Sequence, residues 1–334
     1  MGERRTLEKV NQTFRILVTG GFGYLGGRIA ISLFENGHQV VLGSSKKRST
    51  PNWLPHSEVV RLIWDDKYAL TEACRNVDVV IHAAGMNSQD CTEDPVSALD
   101  FNGVATSRLV ESAWLAGVKQ LIYLSTAHVY RNPLQGKVSE GTCPNNLHPY
   151  ATSHLAAEST VLYALYQKKI GNVKVLRLSN AFGRPLHKEV NCWSLLVNDL
   201  CLQAVTTGKM KIKSSGSQVR DFITLFDVCS VVRYFVNNRS KHFDSHIINV
   251  GFGKSMSVLE MAKIIKARCA IVLGFEPSLE CYKNNSCDQQ EPFEFCIDNL
   301  SKLGLPLEGK TNLEIDELLH SCKKWFASSL DYSA

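Results

Sequence analysis

The residues whose spacing most clearly suggests chemistry are three glycines near the amino terminus. An apolar run, Ile16 to Thr19, leads into Gly20, Gly23 and Gly26, and an amphipathic segment follows. The first glycine permits a tight turn, the second lets the backbone approach a pyrophosphate, and the third lets a helix pack against the strand. This order of strand, turn and helix predicts a dinucleotide-binding site. The contact residues expected there are Gly20, Gly23, Tyr24, Leu25 and Gly26.

The end of the second predicted strand bears on which dinucleotide binds. An NAD site places an acid there for the ribose 2′-hydroxyl, whereas this chain has Gly43 followed by Ser44, Ser45 and Lys46. Hydroxyls and cations suit a 2′-phosphate, so the sequence favours NADP over NAD. The alternative is a solvated basic turn, with NAD held by other contacts.

Four more residues are candidate cofactor contacts. Asp65 follows the third predicted strand and either accepts a hydrogen bond from the adenine amino group or belongs to a solvated turn. Ala83 and Ala84 end the fourth predicted strand, where small side chains let a flat cofactor lie close, and Asn102 lies in the next helix. Small residues are also ordinary packing, so these positions carry weight only together with the glycine turn.

The elements that must position these residues follow from hydrophobic periodicity. Short β-branched runs alternate with amphipathic segments, which predicts an α/β protein with a Rossmann-type, doubly wound parallel sheet and a smaller mixed α/β lobe. We expect a dinucleotide-binding domain over residues 14–185 and an interleaved substrate lobe over residues 186–330. The predicted strands are Arg15 to Thr19, Gln39 to Leu42, Val59 to Trp64, Val77 to His82, Gln120 to Ser125 and Val173 to Leu178; the predicted helices include Tyr24 to Asn36, Pro95 to Ala116, Tyr150 to Lys169, Trp193 to Thr206 and Asn312 to Phe326.

Composition argues against several other classes of protein. The chain has 334 residues, of which 44% are hydrophobic and 21% charged, as in globular domains. No apolar run reaches the ~18 residues that cross a bilayer, and Met1 to Thr13 lacks a signal-peptide core, so we expect a cytoplasmic location without a membrane partner. The net charge of +5 is spread along the chain, which predicts no nucleic-acid partner. The 11 cysteines lack metal-ligand spacing, which predicts no metal.

A series of ordered motifs resembles those of the extended short-chain dehydrogenase/reductase family, in its NAD-dependent epimerase/dehydratase branch, which modifies nucleotide-linked sugars. The resemblance covers nearly the full chain. The motifs are TGGFGYLG from Thr19, HAAG from His82, STAHVY from Ser125, PYATS from Pro149, RLSNAFG from Arg177, RDFI from Arg220 and NVG from Asn249.

The resemblance implies roles for four residues. Tyr150 matches the family's general acid/base, which acts on a sugar hydroxyl or ketone while hydride moves to or from nicotinamide. Thr126 matches the Ser/Thr that hydrogen-bonds the reacting oxygen. Asn180 and Arg220 match positions that bind the substrate diphosphate, a task for which a guanidinium is suited by its bidentate geometry.

One position departs from the family pattern YxxxK, because His154 stands where the lysine belongs. That lysine holds the nicotinamide ribose and lowers the pKa of the catalytic phenol, whereas a histidine of ordinary pKa, about 6.5, is largely neutral at pH 7. His154 is therefore a candidate for both the catalytic and the cofactor site. Three outcomes stay open: a working substitute, a slow enzyme, or a protein that has kept the fold and lost the chemistry.

Two further departures narrow the reaction. Related dehydratases place an Asp-Glu pair directly after the Thr, but Ala127 and His128 follow Thr126, which argues against a dehydratase and leaves an epimerase or a ketoreductase. The stretch around Glu294 lacks the second diphosphate-binding arginine of many relatives. This weakens the transfer of a UDP-sugar or dTDP-sugar substrate to this chain.

The sequence thus predicts an NAD(P)-dependent oxidoreductase or epimerase whose partner is a small-molecule nucleotide-sugar. The alternative is a weakened or inactive family member that binds NAD(P) as a structural or sensing ligand. The long Ala/Leu-rich helices predict a homodimer.

Overall fold

The structure is a computed structural model that describes residues 12–241, 243–282 and 292–327. Its contacts divide the described chain into two units that alternate along the sequence. The first unit lies within residues 1–125, 148–176 and 229–247, and the second within residues 126–147, 177–228 and 248–334. The predicted domain boundary at residue 185 stays a prediction, and the predicted limit at residue 330 lies outside the described residues.

Strands and helices alternate through most of the chain. The strands are β1 (Arg15–Thr19), β2 (Gln39–Ser44), β3 (Glu58–Arg61), β4 (Val79–His82), β5 (Gln120–Thr126), β6 (Gly136–Val138), β7 (Asn172–Leu178), β8 (Asn180–Phe182), β9 (Lys209–Ile212), β10 (Val219–Thr224), β11 (Ile247–Val250), β12 (Ser255–Ser257), β13 (Ser278–Cys281) and β14 (Phe293–Phe295). The helices are α1 (Tyr24–Glu35), α2 (Lys67–Ala73), α3 (Ser88–Glu93), α4 (Pro95–Ala98), α5 (Ala105–Leu115), α6 (Pro149–Tyr166), α7 (Leu196–Thr207), α8 (Leu225–Asn237), α9 (Val258–Leu273), α10 (Asp298–Ser301) and α11 (Thr311–Phe326).

A seven-stranded sheet has the strand order β11-β7-β5-β4-β1-β2-β3. The registers of β1 with β2 and β4, of β2 with β3 and of β4 with β5 are all parallel. Every residue of β4 and β5 is buried, as expected when helices cover both faces of a parallel sheet. The predicted fold class, a Rossmann-type α/β sheet, is confirmed.

The core of the first unit packs helices α5 and α6 against the sheet. Leu17 and Val80 from the strands join Leu109 and Val161 from the helices in one buried cluster. This packing fixes the positions of the two strand ends, β1 and β4, that carry the glycine turn and the small-residue loop.

The second unit has a mixed architecture. Its sheets have the orders β12-β10-β8, β13-β9 and β14-β6, and β10 runs parallel to β8 but antiparallel to β12. Helices α7, α9 and α11 enclose a core that includes Leu200, Met261 and Leu318. Helix α9 begins with a capping box in which the side chains of Ser257 and Glu260 each accept the other's backbone N–H.

Several predicted boundaries differ from the structure. Strand β3 ends at Arg61 rather than at Trp64, because the chain turns so that the Asp66 N–H reaches the Ile63 carbonyl and Asp66 then caps α2. Helix α6 ends at Tyr166 rather than at Lys169, since Lys168 takes a left-handed φ of 55°. The predicted helix from Pro95 is interrupted by a π-helical segment, Leu99–Val104.

The described residues contain neither a helix that could span a membrane nor a disulfide. Within residues 12–241, 243–282 and 292–327, no helix has the length and apolarity needed to cross a membrane. Of the ten cysteines described, eight are buried and none is part of a disulfide.

Candidate functional site

The glycine turn between β1 and α1 is packed so closely that side chains cannot be added. A Cβ on Gly20, whose φ is +63°, would lie 2.9 Å from the backbone of Ala84, and a Cβ on Gly26 would overlap the Gly20 carbonyl. Gly23 is exposed and its N–H donates to that carbonyl over 2.7 Å. Helix α1 therefore starts beside an open backbone surface, with no acidic residue in its first turn and no capping side chain. This arrangement fits an anionic pyrophosphate.

The loop after β4 lies against this turn. The N–H groups of Ala83 and Ala84 donate to Oγ1 of Thr19 over 3.2 and 3.3 Å. Because Gly20 follows Thr19 directly, these bonds hold the small-residue loop beside the glycine turn. The structure thus brings Gly20, Ala83 and Ala84 together.

The end of β2 completes the same edge of the sheet. The Gly21 N–H donates to the Gly43 carbonyl over 3.1 Å, and the Ser44 hydroxyl accepts from the Lys46 N–H over 3.2 Å. Ser44 is buried, whereas Ser45 and Lys46 are exposed. Arg48 was not predicted as a site residue, but its guanidinium lies 4.8 Å from the ring centroid of Phe22, inside the glycine turn. The basic run Lys46 to Arg48 was the available signal.

Two predicted cofactor contacts have different surroundings. Asp65 is exposed in the turn before α2. Asn102 is buried; its Oδ1 accepts from the Met86 N–H over 2.8 Å, and its amide donates to Oγ of Ser153 over 3.0 Å. Asn102 thereby joins the loop after β4 to helix α6. A direct cofactor contact by either residue stays a prediction.

Tyr150 and His154 lie one turn apart on α6. The helix begins with Pro149 at its first position, where the missing N–H costs nothing, and His148 caps it by accepting the Tyr150 N–H on Nδ1 over 3.1 Å. Tyr150 is half-buried and His154 is 6% exposed. Their ring centroids are 4.6 Å apart with an edge-on orientation. A Cβ on Gly85 would lie 4.0 Å from Nε2 of His154, so this edge of the imidazole faces the loop after β4.

Strand β5 contributes two buried side chains beside α6 that the sequence analysis missed. The hydroxyl of Tyr123 lies 2.6 Å from Nδ1 of His154. The hydroxyl of Ser125 donates to the carboxylate of Glu158 over 2.5 Å. An alternation of buried and exposed residues could not single out these two side chains, because every residue of β5 is buried.

The remaining predicted residues belong to the second unit. Thr126 ends β5 and is buried, and its Oγ1 accepts the His128 N–H over 3.1 Å. Asn180 on β8 donates its amide to the Asp221 carbonyl over 2.9 Å. Arg220 on β10 is half-buried, and its guanidinium contacts Oε1 of Gln218 at 3.2 Å. Strands β8 and β10 pair in parallel, so Asn180 and Arg220 lie near each other.

Asp221, beside Arg220, is a buried carboxylate that the sequence analysis quoted only within a motif. It accepts the Ser179 hydroxyl over 2.6 Å and the N–H groups of Phe252 and Gly253 over 2.9 and 2.7 Å. Burial raises its pKa, and these hydrogen bonds lower it in part. Asp221 thus holds the turn after β11 against β10.

Two further observations concern the stretch around Glu294, which lacks the second diphosphate-binding arginine of many relatives, and possible metal sites. The carboxylate of Glu294 lies 3.1 Å from Nζ of Lys137 in an exposed ion pair. In the part of the chain that the structure describes, no group of three His, Cys, Asp or Glu side chains is arranged to hold a metal ion.

Residues 16–251 match the sequence model of the NAD dependent epimerase/dehydratase family. The chain belongs to this family. The match extends from β1 through the end of β11, so it includes the glycine turn, the Tyr150 segment and both Asn180 and Arg220.

The curated relatives of this chain are named for several different activities. The dTDP-D-glucose 4,6-dehydratase of Mus musculus is 28% identical over 75% of this chain and 71% of its own. The UDP-glucose 4-epimerase of Neisseria meningitidis serogroup C is 25% identical over 78% and 84%. The UDP-glucuronic acid decarboxylase 1 of Xenopus tropicalis is 26% identical over 96% and 74%. Because one of them is a dehydratase, the comparisons do not confirm the argument against dehydration.

Solved structures of epimerases share the fold. The UDP-glucose 4-epimerase of Thermotoga maritima, determined with UDP-glucose, has a TM-score of 0.76 and 19% identity, with 93% of this chain and 99% of that chain covered. The UDP-N-acetylglucosamine 4-epimerase of Methanobrevibacter ruminantium M1 has a TM-score of 0.77 and 21% identity, covering 93% and 98%. At these identities the likeness supports the fold alone.

Proposed function

We propose that this family member is an NAD(P)-dependent epimerase or ketoreductase acting on a nucleotide-linked sugar. The observation that carries the proposal is the edge-on contact of Tyr150 with His154, whose Nε2 edge faces the loop beside the glycine turn. The phenol and the imidazole that would bind the ribose are therefore side by side on one helix. Nucleotide-sugars are named in relatives and in solved neighbours, which supports this substrate class.

The residues of the first unit fit a bound dinucleotide. Gly20, Gly23 and Gly26 leave the backbone surface that a pyrophosphate needs, and Ala83 and Ala84 keep the neighbouring strand end small. When bound, NAD(P) would accept or donate hydride. His154 would hold the nicotinamide ribose, and Tyr150 would take a proton from, or give one to, the reacting sugar oxygen.

Roles in the second unit rest on the family resemblance. Thr126 would hydrogen-bond the reacting oxygen, while Asn180 and Arg220 would bind the diphosphate. Arg220 keeps its charge although burial lowers its pKa, because a guanidinium titrates far above neutrality.

NADP is the proposed dinucleotide. Residues 43–48 contain no carboxylate, and the Arg48 guanidinium is held against Phe22 next to the pyrophosphate turn. A solved neighbour, RMD from Pseudomonas aeruginosa, is complexed with NADPH, whereas another, from Thermus thermophilus, is complexed with NAD.

A second candidate function is favoured by a different observation. His154 replaces the lysine of the family pattern, so the protein could bind NAD(P) as a structural or sensing ligand without turnover. A dehydratase is a less favoured activity than an epimerase or a ketoreductase, because Ala127 and His128 provide no carboxylate after Thr126.

We also propose a cytoplasmic homodimer that uses helices α5 and α6. Both helices belong to the first unit, and their exposed apolar side chains are Trp114, Leu115, Tyr163 and Tyr166. Exposed apolar residues grouped on neighbouring helices are typical of subunit interfaces. Light scattering that gives a dimer mass would support this, and a monomer mass at micromolar concentration would refute it.

The test of function is a pair of titrations and an assay on the purified chain. Binding of NADPH and NADH is followed by energy transfer from tryptophan, and turnover is assayed with UDP-sugars and dTDP-sugars. Binding with turnover supports the enzyme. Binding with turnover only in His154→Lys supports the ligand-binding alternative, and binding of neither dinucleotide overturns both.

A further inference from the structure

A buried tyrosine and histidine form a direct pair next to the proposed catalytic residue. The Tyr123 hydroxyl and Nδ1 of His154 are 2.6 Å apart, and the two side chains are 1% and 6% exposed. Tyr123 belongs to strand β5 and His154 to helix α6, so the contact joins the sheet to the helix that carries Tyr150. The family pattern has a lysine in place of the imidazole, and a lysine has no ring to orient.

The direction of this hydrogen bond follows from the protonation state of the Tyr123 phenol. Burial raises the pKa of the Tyr123 phenol well above its ordinary value, and the nearby acidic groups of Glu158 and Tyr150 raise it further. Tyr123 therefore keeps its proton, and among the described residues Nδ1 of His154 is the one hydrogen-bond partner of its buried hydroxyl, so the hydroxyl donates there. Nδ1 of a neutral His154 accepts, which leaves the imidazole proton on Nε2.

The Nε2 edge faces the proposed cofactor site. A Cβ on Gly85 would lie 3.9 Å from Cε1 and 4.0 Å from Nε2 of His154. The loop that contains Gly85 is held by the bond from the Met86 N–H to Oδ1 of Asn102. The titratable groups that interact with the imidazole are His82 on β4, Tyr123 on β5 and Tyr150 on α6, while Glu158 on α6 interacts with the Tyr123 phenol.

We propose that Tyr123 is a positioning residue that fixes the tautomer and ring orientation of His154, so that Nε2–H is presented to a hydroxyl of the nicotinamide ribose. This inference rests on the proposed function, because it assigns the dinucleotide to the Gly85 side. It assigns the ribose contact of this chain to a neutral imidazole donor that is oriented by a phenol. The family pattern uses a lysine cation for the same contact.

The first test reads the tautomer without substrate or cofactor. The chain is labelled with ¹⁵N-histidine, and the His154 resonances are assigned by their loss in His154→Lys. We expect the wild type to carry its proton on Nε2, and Tyr123→Phe to show exchange between the two tautomers. The matched control is Tyr130→Phe, which removes another buried hydroxyl, bonded to Asn249 over 2.6 Å, and keeps the wild-type spectrum.

Two results of this test would overturn the proposal. One is a wild-type proton on Nδ1, and the other is a Tyr123→Phe spectrum identical to that of the wild type. Circular dichroism and thermal unfolding of each variant establish that the fold is retained. A variant that fails this check is replaced by Tyr123→Leu.

The second test is a double-mutant cycle on dinucleotide affinity. We expect Tyr123→Phe to weaken NADPH binding about five- to ten-fold in the wild-type background, as for one buried hydrogen bond, and less than about two-fold in His154→Lys. An equal loss in both backgrounds would mean that Tyr123 only supports the fold. If the wild type binds neither NADPH nor NADH, the proposed function fails, while the tautomer measurement still decides whether Tyr123 orients His154.

Discussion

The hydroxyl of Thr19 donates to Nδ1 of His82 over 2.7 Å, at the register position where β1 and β4 lie side by side. On the other side of the imidazole, the Thr106 hydroxyl lies 2.8 Å from Nε2 and donates its own proton to the Asn102 carbonyl. Thr106 can therefore only accept from Nε2–H, so Nδ1 is the acceptor for Thr19. A neutral His82 links both strand ends of the candidate site to the helix behind them.

This arrangement predicts acid sensitivity. Burial, followed by the Coulombic interaction with His154, lowers the pKa of His82 to about 3. In the unfolded chain the pKa is about 6.5, so between these values the unfolded state binds a proton that the folded state rejects. The stability contribution of the neutral imidazole is complete above pH 6.5 and is lost as the pH falls. We expect His82 to account for up to about 1.4 kcal/mol of unfolding free energy per pH unit in that window.

The measurement is urea unfolding at pH 7.0, 5.5 and 4.5 for the wild type and His82→Gln. The variant should lose that part of the pH dependence. The control is His56→Gln, which removes an exposed imidazole instead of a buried one. Equal pH dependence in the wild type and His82→Gln would contradict the prediction.

Gly26→Ala tests the glycine turn. Its Cβ would collide with the Gly20 carbonyl, which is backbone and cannot rotate away. We expect a loss of about 2 kcal/mol or more in unfolding free energy and no measurable NADPH binding. Gly171→Ala is the matched control, since a Cβ there meets no atom within 4 Å. Tight NADPH binding by Gly26→Ala would place the dinucleotide elsewhere.

Arg48→Ala tests the choice of dinucleotide. The guanidinium beside Phe22 is expected to pair with a 2′-phosphate. We expect NADPH affinity to fall about ten-fold while NADH affinity stays within about two-fold, and the NADPH effect to shrink at high salt. Arg75→Ala removes an exposed arginine that pairs with Glu72 and serves as the control. A parallel loss of both affinities would argue against a phosphate contact.

Tyr150→Phe tests the chemical step. Removal of the acid/base hydroxyl should lower turnover of the nucleotide-sugar about 100-fold or more, with NADPH affinity nearly unchanged. Tyr163→Phe, an exposed residue on the same helix, controls for changes in α6. Turnover that survives in Tyr150→Phe would remove this residue from the mechanism.

The parts of the fold that the sequence predicted are those with local causes. Arg15–Thr19 is a strand because its residues suit a buried parallel sheet, and Tyr24 begins a helix where the glycine turn ends. The π-helical segment at Leu99–Val104 had no such signal, because its residues read as ordinary helix. The turn after Arg61 was missed for a similar reason, since Leu62 and Ile63 continue the apolar pattern of the strand.

The family, the glycine turn and the positions of Tyr150 and His154 one helical turn apart followed from the sequence, because each motif depends on residue spacing within its own segment. The side chains that surround Tyr150 and His154 come from distant segments and became known from the folded chain. Tyr123 contacts His154 across 31 residues, and Arg48 contacts Phe22 from the loop after β2. Such partners depend on how β5, α6 and the strand ends pack, and the proton position on an imidazole depends on that partner rather than on the histidine itself.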